Sequence, residues 1–176
     1  MKSLDWFIFQ KINSLIGHFF ELDILGGFLA EYLIYCLFLL AFLFYFFLWQ
    51  QKKKVPYQEI LILVFILGLS FLIYFLIRLF YHRPRPFVIY PEVFHLGWFL
   101  SKPDSPSLPS GHTILAFSLA FAILLVNRKI GWLFLVLAFL IGLARVFVGL
   151  HWPLDVLVSI LITFIISRLA NYLFKS

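Results

Sequence analysis

Cysteine is almost absent from this chain. Cys36 stands alone inside an apolar run, which excludes a disulfide framework and a cysteine-based metal site. Charge is scarce too: Asp, Glu, Lys and Arg make up 12% of the 176 residues, eight acids against fourteen bases. So thin a polar complement cannot clothe a soluble globule. It also excludes a nucleic-acid binder, which spreads its basic residues over a polar face. No cleavable leader is evident, since Asp5 interrupts the start and no small-residue cleavage site follows a short apolar core.

What is abundant is apolar. Hydrophobic residues account for 64% of the chain and the mean hydropathy is +1.03, the composition of an integral membrane protein with a single domain over 1–176. The net charge of +6 fits cytoplasmic loops and an anionic substrate or lipid surface. No protein partner is inferable.

Residues 4–20 place Asp5, Gln10, Asn13, Ser14, Gly17 and His18 at helical intervals among Leu4, Phe7, Ile8, Ile12, Leu15, Ile16 and Phe19. This pattern predicts one amphipathic helix lying in the membrane interface. Apolar runs then predict five transmembrane helices, at about 24–49, 57–80, 109–126, 130–148 and 152–173. Between the second and third, residues 82–108 hold five of the eight prolines and read as a functional loop or linker. The expected fold is therefore an all-α integral membrane helical bundle of five spans plus an N-terminal interfacial helix.

Lys52-Lys53-Lys54 and Arg128-Lys129 read as cytoplasmic turns. By parity, Arg78, the 82–108 loop, Ser110–His112 and Arg145–Asp155 emerge together on the extracytoplasmic face. The basic residues divide evenly between the two sides, so Arg78, Arg83, Arg85 and Arg145 call for a functional reason to be where they are. Glu31 lies about two turns from the outer end of the first span, where burial is costly without a partner. A functional role and a structural one, snorkelling or bonded to a tyrosine, both fit it.

Three clusters share the outer face: Arg78 to Pro86, Pro109-Ser110-Gly111-His112, and Arg145 to Asp155. In the third, a helix from Pro153 puts Asp155 one turn beyond His151. The carboxylate can then reach one imidazole nitrogen and leave the other as a nucleophile or base. In the second, Ser110 reads as a helix N-cap, and the first-turn amides make an anion site that Gly111 lets a ligand approach. His112 can serve there as general acid. Arg78, Arg85 and Arg145 supply charge for a phosphate and for its transition state. Each cluster alone also has a plain reading: polar residues at a membrane boundary, a capped helix, or a basic patch attracting headgroups.

Together, in this order, the clusters resemble the signature of the type-2 phosphatidic acid phosphatase superfamily: Lys-x6-Arg-Pro, then Pro-Ser-Gly-His, then Ser-Arg-x5-His-x3-Asp. Arg78 stands where that pattern usually has Lys, and Ala144 where it usually has Ser; Arg83 offers a second Arg-Pro, but only Arg85 has the required spacing. The resemblance implies an acid phosphatase/vanadium haloperoxidase-like core. It implies His151 as a nucleophile forming phosphohistidine, Asp155 orienting it, and His112 as general acid and then base. Arg78, Arg85, Ser110, Gly111 and Arg145 would bind phosphate, with no metal and no cofactor, in keeping with the few carboxylates on that face. The haloperoxidases that share the motifs are soluble, unlike this composition.

Shorter stretches, Gly27-Phe-Leu-Ala-Glu31-Tyr32 and Arg128-Lys129-Ile130-Gly131-Trp132, are also similar to bacterial undecaprenyl-diphosphate phosphatases of the bacitracin-resistance type. That likeness implies a lipid phosphatase of the bacterial cytoplasmic membrane, cleaving undecaprenyl diphosphate outside it. Phosphatidylglycerol phosphate and lipid A 1-phosphate are the other substrates to weigh. A lipid-phosphate binder or transporter without hydrolysis is the alternative of another class.

Overall fold

The computed structural model describes residues 3–52, 57–90, 92–93 and 104–174. Lys53, Lys54, Pro91, Pro103 and the rest of 94–103, to which the basic loop and much of the proline-rich segment were assigned, lie outside them. Among the described residues every regular element is helical: α1 Leu4–Asn13, α2 Phe20–Glu31, α3 Leu33–Lys52, α4 Tyr57–Phe80, α5 Pro86–Ile89, α6 Gly111–Val126, α7 Arg128–Phe147 and α8 Pro153–Phe174.

The N-terminal segment differs from the single helix expected over 4–20. Ser3 caps α1 by accepting the Trp6 amide, Asp5 and Lys11 sit at the ends that suit the helix dipole, and Ser14 ends the helix. Gly17 follows at φ +81°, a left-handed conformation that glycine adopts without strain, and its amide donates to the Asp23 carboxylate. The chain thus turns, and α2 begins at Phe20 rather than at 24.

The expected first span, 24–49, is also broken, into α2 and α3 at Tyr32. The Arg145 guanidinium, arriving from α7, donates to the Ala30 carbonyl at 3.2 Å. A side chain inserted into the i→i−4 ladder is a recognised cause of such breaks. Among the described residues four helices are long and apolar enough to cross a membrane: α3 (as Leu33–Gln51), α4, α7 and α8. At ~1.5 Å per residue α6 is only ~24 Å long, short of a ~30 Å hydrocarbon layer; the described residues thus hold four such helices where five were expected.

α6 is the centre of the bundle. It is apolar all round and buried over most of its length, packing on α3, α4, α7 and α8, as such a helix must. Alanines 116, 120 and 122 let its neighbours approach, while Leu119 and Ile123 fill the space between. Asn127 ends α6 and caps α7, accepting the Ile130 amide, so the two helices form a tight hairpin. The outer helices turn Leu39, Phe47, Phe75 and Phe139 outward, as a bilayer requires.

Candidate active site

The end of the bundle opposite the Asn127 hairpin gathers the polar residues. Arg145 lies in the last turn of α7, and Gly149 at φ +83° turns the chain back. The amides of Leu150 and His151 both donate to the Arg145 carbonyl, at 3.1 and 3.2 Å, which folds His151 over the helix end. Pro153 then opens α8, where a missing amide hydrogen costs nothing. Asp155, at the third helical position, reaches back to accept the Trp152 amide at 2.9 Å, the acid half of a capping box.

His151 and Asp155 are both fully buried. Nδ1 of His151 lies 2.8 Å from the Ser107 carbonyl oxygen and 3.5 Å from Oδ2 of Asp155. The carbonyl can only accept, so Nδ1 carries the proton and Nε2 keeps its lone pair. The orienting role assigned to Asp155 is therefore shared with a backbone group that sequence spacing did not indicate. Burial lowers the His151 pKa to about 4; Asp155 opposes the fall, and the Arg145 and Arg85 charges add to it. The ring is neutral at neutral pH.

Arg85 comes within 3.4 Å of that free Nε2 through Nη1, which also donates to the Leu150 carbonyl at 2.9 Å. Its Nε and Nη2 reach Ser105. Burial and then the neighbouring Arg78 charge lower its pKa to about 10, so it remains a cation. Arg78 donates to the Pro106 carbonyl at 2.6 Å and lies over the Tyr74 ring. These bonds strap residues 105–107 across His151, giving the described part of the 82–108 segment a definite path.

Arg145 uses Nη1 for the Ala30 carbonyl and for Glu31 Oε2, at 3.1 Å. Its Nε is buried without a hydrogen-bond partner. Orphaned buried donors are rare, and one on a cationic side chain suits an anion. His112 is more open than His151, and its Nε2 lies 3.8 Å from the same Glu31 oxygen. Glu31, whose role the sequence left open, is thus paired to two of the motif residues. The Ser110 amide is engaged by Ser159 Oγ at 2.9 Å, and Thr113 donates to the Ser110 hydroxyl. The helix-start amides of Gly111, His112 and Thr113 are those the helix itself leaves without a partner.

Two participants were not assigned to the site by the sequence. Arg83 donates to Asp155 Oδ1 at 2.6 Å and pairs with Asp5 of α1. Its Arg-Pro context stood out, but not its target; Asp5 lies too far away in sequence to be suspected. Among the described residues no group of three His, Cys, Asp or Glu side chains is placed to hold a metal ion.

A helical membrane protein with a cluster of two histidines and several arginines at one end of its bundle is the class that this fold and site define. The PAP2 superfamily model matches residues 59–176, and the chain belongs to that family. It is 38% identical over 168 residues to undecaprenyl-diphosphatase BcrC of Bacillus subtilis (strain 168), a match covering 94% of this chain and 82% of the relative. It is 34% identical over 148 residues to the bacitracin transport permease protein BcrC of Bacillus licheniformis, covering 84% and 70%. The crystal structure of Aquifex aeolicus LpxE superposes with a TM-score of 0.77 at 26% identity, covering 97% of this chain and 96% of that one. The segment α1–α3, which supplies Asp5 and Glu31, lies outside the family match.

Proposed function

We propose that this chain, as one domain, is a lipid phosphatase that converts undecaprenyl diphosphate to undecaprenyl phosphate and inorganic phosphate. The observation that carries the reading is the buried, neutral His151 with its Nε2 lone pair beside Arg85, in the field of Arg145, whose Nε has no partner. Family membership and the likeness to the Bacillus subtilis diphosphatase support the substrate.

His151 Nε2 attacks the terminal phosphorus, forming a P–N bond as the bridging P–O bond breaks. Undecaprenyl phosphate departs with a proton from His112. Water, deprotonated by the now neutral His112, then attacks phosphorus; the P–N bond breaks and phosphate leaves. Arg78, Arg85 and Arg145, with the amides of Gly111 and His112 and the Ser110 hydroxyl, hold the phosphoryl oxygens and neutralise charge as it develops. Asp155 steadies the imidazole as it becomes positive.

The protein sits in the cytoplasmic membrane of a bacterium with this site on the extracytoplasmic side. Arg128, Lys129 and Arg168 at the opposite ends of α7 and α8 support that orientation. Ala144 and Phe147, flanking Arg145, line an apolar cavity of about 310 Å³ with Leu22, Gly26, Leu29 and Leu143, suited to a prenyl chain whose headgroup is in the site.

The transport named for the Bacillus licheniformis relative is the competing reading. Phosphate release by purified protein in detergent separates the two. Wild type should hydrolyse undecaprenyl diphosphate faster than phosphatidylglycerol phosphate or lipid A 1-phosphate, and His151→Ala should be inactive. Full hydrolysis by His151→Ala would overturn the mechanism, and none by wild type would favour transport.

A further inference from the structure

The Asp155 carboxylate has every oxygen engaged. Oδ2 faces the Trp152 amide and His151, while Oδ1 takes Arg83 Nη1 at 2.6 Å. The other arm of the same guanidinium, Nη2, lies 2.5 Å from Asp5 Oδ2. The second Asp5 oxygen accepts the Leu154 amide at 2.9 Å, at the start of α8. One planar cation is thus clamped between two acids, over the Trp152 ring, whose Nε1 donates to the Pro84 carbonyl at 3.0 Å. Burial opposes the Arg83 charge, but Asp155 and Asp5 outweigh it and raise its pKa.

α1 grips the other flank of the same loop. Asn13 donates to the Phe147 carbonyl at 2.9 Å, and tilted ring pairs join Phe9 to Trp152 and Trp6 to Tyr90, with centroids 5.1 and 3.8 Å apart. Leu4, Phe7 and Ile8 face outward.

From this geometry we infer that Asp5 and Arg83 are positioning residues for the catalytic pair, Asp5 fixing Arg83, Arg83 fixing Asp155, and Asp155 fixing His151. α1 is then part of the catalytic apparatus, although it lies outside the region matched by the family. Each terminal nitrogen of Arg83 already holds a carboxylate, whereas Arg145 keeps a buried Nε without a partner, so the inference assigns Arg83 to Asp155 and phosphate to Arg145. The inference rests on His151 being the nucleophile.

The test uses the full chain in detergent with undecaprenyl diphosphate. It compares Arg83→Gln, Arg83→Lys, Asp5→Asn and, as control, His151→Ala, each assayed at the same interval below its own Tm. Misplacing a reacting group by an ångström costs on the order of a hundredfold, so Arg83→Gln should lose ~10–100-fold in kcat with KM within ~3-fold. Asp5→Asn should lose ~3–10-fold in kcat, and Arg83→Lys should recover part of the Arg83→Gln loss. Single-turnover formation of the phosphoenzyme should slow in parallel. A raised KM at unchanged kcat would make Arg83 a substrate ligand and overturn the inference. So would unchanged kcat in both Arg83→Gln and Asp5→Asn, or a loss that disappears once Tm is matched. If Arg83→Gln does not fold, the milder Asp5→Asn decides alone. Activity in His151→Ala would instead sink the phosphohistidine reading, a result visible without the Arg83 variants.

Discussion

The Ser107 carbonyl oxygen lies 2.8 Å from His151 Nδ1, closer than the 3.5 Å to Asp155 Oδ2. The tautomer of the proposed nucleophile is therefore fixed by a loop backbone group, while the acid one turn away supplies charge. Asp155→Asn keeps the Ser107 contact but removes the charge that steadies an imidazolium and the partner of Arg83. It is expected to lower kcat by ~10²–10⁴-fold, by analogy with acid-to-amide changes in other His–Asp pairs. The Tm should fall too, since Arg83 is left beside a neutral amide. Turnover and thermal unfolding in detergent check both.

Acid should affect activity late and stability early. The His151 pKa is about 4 in the fold against the ordinary 6.5, so the nucleophilic form persists until pH falls through about 4. Between 6.5 and 4 the unfolded chain binds a proton that the folded chain does not, so this group's contribution to stability declines as pH falls and is complete above 6.5. The Tm of wild type relative to His151→Gln should therefore drop over that window. A parallel pair of Tm profiles would contradict it.

His112 should matter in proportion to how poor the leaving group is. A phosphate monoester leaves a diphosphate far more readily than an alkoxide leaves a monophosphate. General acid catalysis contributes ~10²–10⁴-fold where it is needed. His112→Ala is expected to lose most of that with a lipid monophosphate and distinctly less with undecaprenyl diphosphate. Equal losses on both substrates would assign His112 to phosphate binding instead.

Charge neutralisation at the site is assigned to Arg78, Arg85 and Arg145. EDTA is accordingly expected to change kcat by less than about twofold, where removal of a water-activating metal costs orders of magnitude. Turnover after dialysis against chelator, with and without added Mg²⁺, reads this directly.

The extent to which the site was legible follows from what each signal depends on. Hydropathy marked α4 at 57–80 to the residue, and α7 and α8 within two residues. Lipid-facing and core positions both have to be apolar, so length alone defines a span. The same measure missed the break at Tyr32, because its cause is a guanidinium from another helix. The amphipathic pattern ran α1 on to residue 20, because the Gly17 turn interrupts it for only a few residues. Spacing carried the three clusters, since Arg78 with Arg85, and His151 with Asp155, lie close along the chain. Spacing could not show that Glu31 would pair with Arg145, or that the Ser110 amide would be taken by Ser159.

By itself the sequence determined that this is a helical membrane protein, and it named two histidines, an acid and arginines that the fold gathers at one end of the bundle. Those are properties of composition and of short intervals along the chain. Tertiary structure alone decided which nitrogen of His151 faces a carbonyl, that Arg83 reaches Asp155, and that Asp5 from the first helix pairs with Arg83. Each of these depends on packing that brings distant backbone and side chains within hydrogen-bond reach, and no local pattern encodes a distance of that kind.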